Sequence, residues 1–139
     1  MSKEFLISRD QTPVIIWLVV CMVLVASMVA LGGYTRLSGS GLSITEWKPV
    51  HGAVPPANEQ EWNEEFAAYQ QSPQYQKVNS GMTLEEFKTI YWPEYFHRLL
   101  GRAIGAVLLA PFIIFFIRGS LSRTAAMHIG GIFLLGALQ

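Results

Sequence analysis

The amino-acid sequence predicts an all-α membrane protein, with transmembrane helices forming part of a bundle and a partly helical extracytoplasmic loop between them. Three observations carry that expectation. Of the 139 residues, 51% are hydrophobic and only 14% charged, whereas a soluble domain carries roughly a quarter charged residues. The apolar residues are clustered into long runs. An acid and an imidazole, Glu94 and His97, stand just upstream of one such run, where ionisable groups are costly and usually face a bundle interior. Net charge is zero, so nothing points to a nucleic-acid partner. The one cysteine, Cys21, excludes an intrachain disulfide and any Cys-x-x-Cys redox or metal motif.

The first apolar run, Val14 to about Leu31, places a membrane helix at about 14–33. At ~1.5 Å per residue it covers the roughly 30 Å hydrocarbon core. A secretory signal would have a shorter apolar region, about 7–15 residues, and a small-residue cleavage site. Gly32-Gly33-Tyr34 is not such a site, so the run reads as an uncleaved anchor. No Arg/Ser-rich transit peptide precedes it, which favours a bacterial inner membrane.

Residues 34–91 read as an outer loop. Gly39, Gly41, Pro49, Gly52, Pro55 and Pro56 make its first part turn-rich. Asn58-x-x-Glu61 resembles a capping box that opens a helix to about Gln71, with Trp62, Phe66 and Tyr69 as an aromatic stripe. That stripe is expected to pack on its own protein. Ser72-Pro73 ends the helix, and Thr83-x-x-Glu86 opens another through Leu84, Phe87, Ile90 and Tyr91. Pro93 then predicts a break or kink before a second membrane helix at about 94–117. Trp92, Tyr95 and Phe96 fit an interfacial aromatic belt. Gly101 and Gly105 permit close approach of another helix or a flat macrocycle. Pro111 should bend the helix and free a carbonyl that the bundle must satisfy. A third run, about 125–139, has about 15 residues, too few to span comfortably. The chain is therefore expected to be a fragment or truncated product.

The candidate chemistry sits at 94–102. Glu94 and His97 share a helix face at i,i+3. His97 fits a heme-iron ligand, a general base, another metal ligand or a structural histidine, with heme ahead of zinc because no cysteine or second histidine has zinc-like spacing. Glu94 is either a catalytic acid or base, or half of an i,i+4 ion pair with Arg98. Arg98, Arg102 and Arg36 either reach lipid phosphates or pair with heme propionates. His128 and Cys21 read as structural, and His51 lies in a Pro/Gly-rich stretch. From these residues alone three functions stay open: an enzyme, a membrane cytochrome b-type electron-transfer module, or a non-heme membrane assembly factor.

Longer motifs narrow the choice. Gly32-Gly33-Tyr34-Thr35-Arg36-Leu37-Ser38-Gly39-Ser40-Gly41-Leu42-Ser43, Glu46-Trp47-Lys48-Pro49-Val50, Glu61-Trp62, Ser72-Pro73 and Glu94-Tyr95-x-His97-Arg98-x-x-Gly101-Arg102 together resemble the N-terminal part of the heme A synthase family. The resemblance covers nearly the whole chain. It implies two four-helix bundles in one membrane protein, each half supplying a pair of histidines for a heme. It also implies oxidation of the C8 methyl of heme O, the substrate, to the formyl group of heme A. On that resemblance His97 is an axial ligand of heme iron, Glu94 is the catalytic glutamate, and Arg98, Arg102 and Arg36 are cofactor-binding. A heme b cofactor belongs mainly to the other half. Implied partners are the lipid bilayer, heme O and the enzyme that supplies it (heme O synthase), an electron acceptor, and further copies in a homo-oligomer. Some family members carry a cysteine pair in the first outer loop; Ser43-Ile44-Thr45-Glu46 stands there instead, which implies the cysteine-free subtype. The second histidine of the pair is expected beyond Gln139, and this chain alone is expected to be inactive.

The basic flanks Lys3 and Arg9, and Arg118 and Arg123, predict a cytoplasmic N-terminus with 34–91 outside. In a Cys21→Ser background, an impermeant thiol reagent applied to intact cells should label a cysteine placed at Ser80 but not one placed at Ser120. The reverse pattern refutes this topology.

Overall fold

The computed structural model describes residues 11–46 and 51–138, and among them all regular structure is helical. The basic flank at Lys3 and Arg9, the Trp47-Lys48-Pro49-Val50 stretch and Gln139 lie outside the described residues. Five α-helices follow in order: α1 (Thr12–Leu37), α2 (Glu59–Gln70), α3 (Pro73–Lys77), α4 (Leu84–Ile117) and α5 (Arg123–Leu138). Helices α1 and α4 are long and apolar enough to cross a membrane, with mean hydropathy 3.0 and 2.2. This is an all-α membrane protein. Contacts divide the chain into two compact units, residues 27–101 and the remainder.

The unit of residues 27–101 carries an aromatic core. Asn58 caps α2 by accepting from the Glu61 N–H at 2.9 Å, while the Glu61 carboxylate reaches back to the Ala57 N–H at 2.8 Å. At α4, Thr83 and Glu86 form the reciprocal box: the Thr83 N–H donates to Glu86 Oε2 at 2.8 Å, and the Glu86 N–H donates to Thr83 Oγ1 at 3.3 Å. These caps set the α2 stripe against the first turns of α4. Tyr69 and Phe87 are fully buried and their rings stack at 5.1 Å between centroids. Trp62 meets the edge of Tyr91 at 4.9 Å. Ser72 caps α3, a short helix that the Ser-Pro signal did not predict beyond the stop it marks.

Of the break or kink expected at Pro93, no break is found. The outer helix and the second membrane helix are one continuous α4. A proline removes its own N–H bond, here the one to the carbonyl four residues back, and its ring crowds that same carbonyl. That residue, Thr89, is exposed, so water can take the carbonyl. Packing of Phe87, Tyr91 and Tyr95 on both sides of the proline holds the helix through it. Tyr95 also departs from the interfacial belt: it is buried, and its hydroxyl donates to the Ala53 carbonyl at 2.7 Å. Trp92 and Phe96 stay exposed.

In the other unit the second proline has the opposite problem, because lipid offers no donor. Pro111 frees the carbonyl of Val107, and the indole N–H of Trp17 on α1 donates to it at 2.7 Å. Trp17 is buried and also packs on Phe115, 5.5 Å between ring centroids. Helix α4 ends at Gly119, whose φ of +67 lets the Ser120 N–H reach the Phe115 carbonyl at 2.9 Å. Ser122 then caps α5 through the Ala125 N–H at 3.1 Å. His128 on α5 is exposed, with Nδ1 2.8 Å from the Thr124 carbonyl.

Replacing Trp17 with Phe should keep the packing but orphan the Val107 carbonyl, lowering stability by about 1–3 kcal/mol. Pro111→Ala restores an N–H to the helix and should recover most of that loss in the double variant. Thermal unfolding in detergent of both single variants and the pair checks this; equal losses from Trp17→Phe in both backgrounds would refute it.

Candidate functional site

The site begins where α1 stops. Gly39, at φ +66, ends the helix: the Ser40 N–H donates to the Thr35 carbonyl at 3.0 Å and the Gly39 N–H to the Arg36 carbonyl at 3.3 Å. Ser40 and Ser43 are almost completely buried. Between them Leu42 is exposed and holds a φ of 71, the left-handed region that a bulky residue rarely adopts. After Leu42 the chain turns its next two backbone N–H groups the same way, toward Glu94.

Glu94 lies on α4 and is buried to 7% exposure. Its carboxylate receives five hydrogen bonds. Oε2 accepts from the Ser43 N–H at 2.6 Å, the Ser43 hydroxyl at 2.7 Å and the Ile44 N–H at 3.0 Å. Oε1 accepts from Arg98 Nε at 3.0 Å and Nη2 at 2.7 Å. Arg98 also donates to the carbonyls of Ile44, at 2.7 Å, and Glu46, at 3.3 Å. The Ile44 residue is therefore held at both its N–H and its C=O. The acid and the guanidinium together clamp the 43–46 loop to α4. Hydrogen bonds to charged groups contribute about 1.5–3 kcal/mol each, and removing one partner of a buried charged pair costs about 3–5 kcal/mol. The ion-pair reading of Glu94 and Arg98 thus describes a real contact, but its larger part is the loop. Sequence reasoning named Ser43 and Ile44 only as part of the stretch that stands in place of a cysteine pair and gave neither a role; nothing in the Gly/Ser-rich stretch says that Ser43 reaches residue 94.

His97, one turn beyond Glu94, is half-buried. Its ring lies against Gly32 of α1: a Cβ built on Gly32 would stand 3.0 Å from His97 Nε2 and 3.5 Å from Cδ2. One turn further, Gly101 meets the terminal methyl of Met28, 3.3 Å from a built Cβ. The two glycines let α1 and α4 approach around the imidazole. Gly105 has nothing within 4 Å at the same test, so only the first half of the Gly-xxx-Gly step makes a close approach.

The structure thus brings Glu94, Arg98 and the 43–46 loop together, and sets His97 against Gly32. It brings Arg36 to neither. Arg36 is exposed in the last turn of α1 and makes no hydrogen bond with Glu94, His97 or Arg98 among the described residues. Arg102 is half-buried on α4. Arg98 has most of its donors engaged by the clamp, which leaves little of it for a second anion. Among the described residues no group of three or more histidine, cysteine or carboxylate side chains is placed to hold a bare metal ion. The clamp also walls an open groove of about 630 Å3, lined by Leu42, Ile44 and Arg98 together with Pro73, Lys77 and Val78.

Comparison with known proteins identifies the family. The model of the COX15-CtaA family, described as cytochrome oxidase assembly protein, matches residues 15–139. The heme A synthase of Nitrosospira multiformis is 57% identical over 129 residues, which is 93% of this chain and 36% of that protein. The heme A synthase of Nitrosomonas eutropha is 52% identical over 132 residues, 95% of this chain and 37% of its own. That of Rhodospirillum centenum is 55% identical over 126 residues, 91% and 34%. The chain spans about a third of the length of the curated relatives it matches. No solved structure matches it.

Gly32→Ala should push on the His97 ring, because a real Cβ rarely sits 3.0 Å from a ring nitrogen. Overpacking of this kind costs about 1–3 kcal/mol. The expected outcome is a lower unfolding temperature and slower acylation of His97 by diethyl pyrocarbonate, with exposed His128 as the internal control in mass spectrometry. An unchanged His97 rate and stability would show that the ring has room to spare.

Proposed function

The chain belongs to the cytochrome oxidase assembly protein family, and from that premise we propose that it is the N-terminal part of an oxidoreductase of heme A biosynthesis. The reaction proposed is oxidation of the C8 methyl of heme O, the substrate, to the formyl group of heme A. The observation that carries the reading is the pairing of Glu94 and His97 one turn apart, each held by a contact from outside α4.

The residues present fit one side of a heme. The His97 ring makes no hydrogen bond among the described residues, so its nitrogens are not committed to another polar group. Gly32 leaves the space in which the His97 ring itself lies. His97 is proposed as an axial ligand of the substrate's iron. The iron supplies the redox chemistry when heme is bound. Around it, this chain orients and stabilises. Removing electrons from a methyl group attached to the porphyrin develops positive charge at that carbon. A carboxylate fixed one turn from the ligand stabilises such charge without reorganising. Glu94 already receives five donors, which supports a fixed negative charge over a mobile proton acceptor. Arg98 serves by holding that charge in place. Arg36 and Arg102 keep the propionate-binding role, since Arg98 is engaged elsewhere.

The remaining parts of the proposal follow the family. A heme b site is placed in the part of the relatives that this chain does not cover. The partners are the lipid bilayer, the enzyme that supplies heme O, an electron acceptor and further copies of the protein. The location is the bacterial inner membrane, with the N-terminus in the cytoplasm.

The test uses the complete gene product in a host that makes heme O but lacks heme A. His97→Ala should abolish heme A and alter the bound-heme spectrum. Glu94→Gln should cut heme A output by about 10²-fold or more with heme O still bound. Unchanged output from either variant sinks its assignment. Full output per molecule with lowered abundance in Glu94→Gln would make the acid purely a loop fastener.

A further inference from the structure

We propose that Ser43, presented by the left-handed Leu42, is the positioning residue that fixes the Glu94 carboxylate for catalysis. The inference rests on the electrostatic reading of Glu94 given above. It begins from a cost. Leu42 holds a φ of 71 and leaves its side chain 68% exposed. A non-glycine residue in that region is strained, and such strain collects at functional sites. Turn closure does not require it, because α1 is already terminated by Gly39 three residues earlier.

What the strained conformation achieves is local. It turns the successive N–H groups of Ser43 and Ile44 onto one oxygen, Oε2 of Glu94. Successive backbone N–H groups arranged this way form an anion-binding concavity. The Ser43 hydroxyl completes it at 2.7 Å. Its single proton goes to the nearer carboxylate oxygen, with the Ile90 carbonyl at 3.2 Å as the alternative acceptor. Arg98 holds the other oxygen, Oε1, from the opposite end of the carboxylate. Loop and helix therefore grip different oxygens and fix the plane of the carboxylate. Arg98 alone, bonding through one oxygen, would leave that plane free to rotate. A purely structural fastening of the loop would be served by Arg98 and the Ile44 and Glu46 carbonyls. The buried hydroxyl adds orientation.

The experiment compares variants of the complete gene product in a host that makes heme O but lacks heme A. It reads protein abundance, bound heme O and heme A formed per molecule. Ser43→Ala should lower heme A formed about 10-fold, with abundance and bound heme O unchanged. Ser43→Thr, which keeps the hydroxyl, should retain most of the output. Leu42→Ile keeps size and apolarity but adds a β-branch that resists positive φ, and should reproduce the Ser43→Ala loss. In a Glu94→Gln background, Ser43→Ala should add no further loss, because Ser43 acts only through Glu94.

Wild-type output from Ser43→Ala, beside a loss from Glu94→Gln, overturns the role of Ser43 alone. A Ser43→Ala loss that tracks abundance, or that adds in full to the Glu94→Gln loss, overturns it as well. Full output from Glu94→Gln overturns the reading of Glu94 on which this inference stands.

Discussion

A single buried carboxylate organises the functional end of this chain. Glu94 accepts from two backbone N–H groups, one hydroxyl and one guanidinium, and those donors come from two segments about fifty residues apart in sequence. Each donor has given up water to reach it, so the arrangement is stable only when complete. That requirement explains features that are otherwise odd. It accounts for a leucine in the left-handed region, and for a serine buried to 1% exposure in a loop that is largely polar. It also explains why Arg98 turns back along its own helix and onto the loop rather than outward.

The same accounting of backbone groups governs the prolines. In helix α4, Pro93 and Pro111 each strip one hydrogen bond from the helix. The structure answers them differently because their surroundings differ. Near Pro93 the freed carbonyl belongs to an exposed residue. At Pro111 the carbonyl of Val107 is taken by the indole of Trp17, the donor that the membrane interior cannot provide. The indole is thus an element of α4's hydrogen bonding carried on another helix.

Glu94 and His97 share a helix but are secured by different means. The acid is held by polar contacts from a loop. The imidazole is held by shape, in the space left by Gly32. A site built this way keeps the imidazole nitrogens uncommitted while the neighbouring charge is locked. That division is what the proposed roles would need, an imidazole to bind a metal and a carboxylate to supply a fixed field. The ion pair of Glu94 with Arg98 and the proposed catalytic role of Glu94 are compatible, because the ion pair orients the charge.

Length, composition and periodicity by themselves determined the all-helical membrane class, the two long apolar helices and the caps at Asn58 and Thr83, and they singled out Glu94 and His97 as candidates. These follow from local rules: hydropathy sums over neighbouring residues, capping depends on a spacing of three, and a helix face repeats every three to four residues. The sequence even required that some donor answer Pro111. It did not say that the donor would be Trp17, ninety residues away, nor that Tyr95 would turn inward to Ala53. It left Pro93 as a break or a kink without deciding that the helix runs on, because the penalty of a proline is local while the packing of Phe87, Tyr91 and Tyr95 that outweighs it is not. Ser43 and Ile44 were illegible for the same reason. A serine in a Gly/Ser-rich loop carries no mark of its partner. Only tertiary structure decides which buried carboxylate its hydroxyl will meet, because that depends on where α1 stops and on the angle at which one strained leucine turns the chain back toward α4.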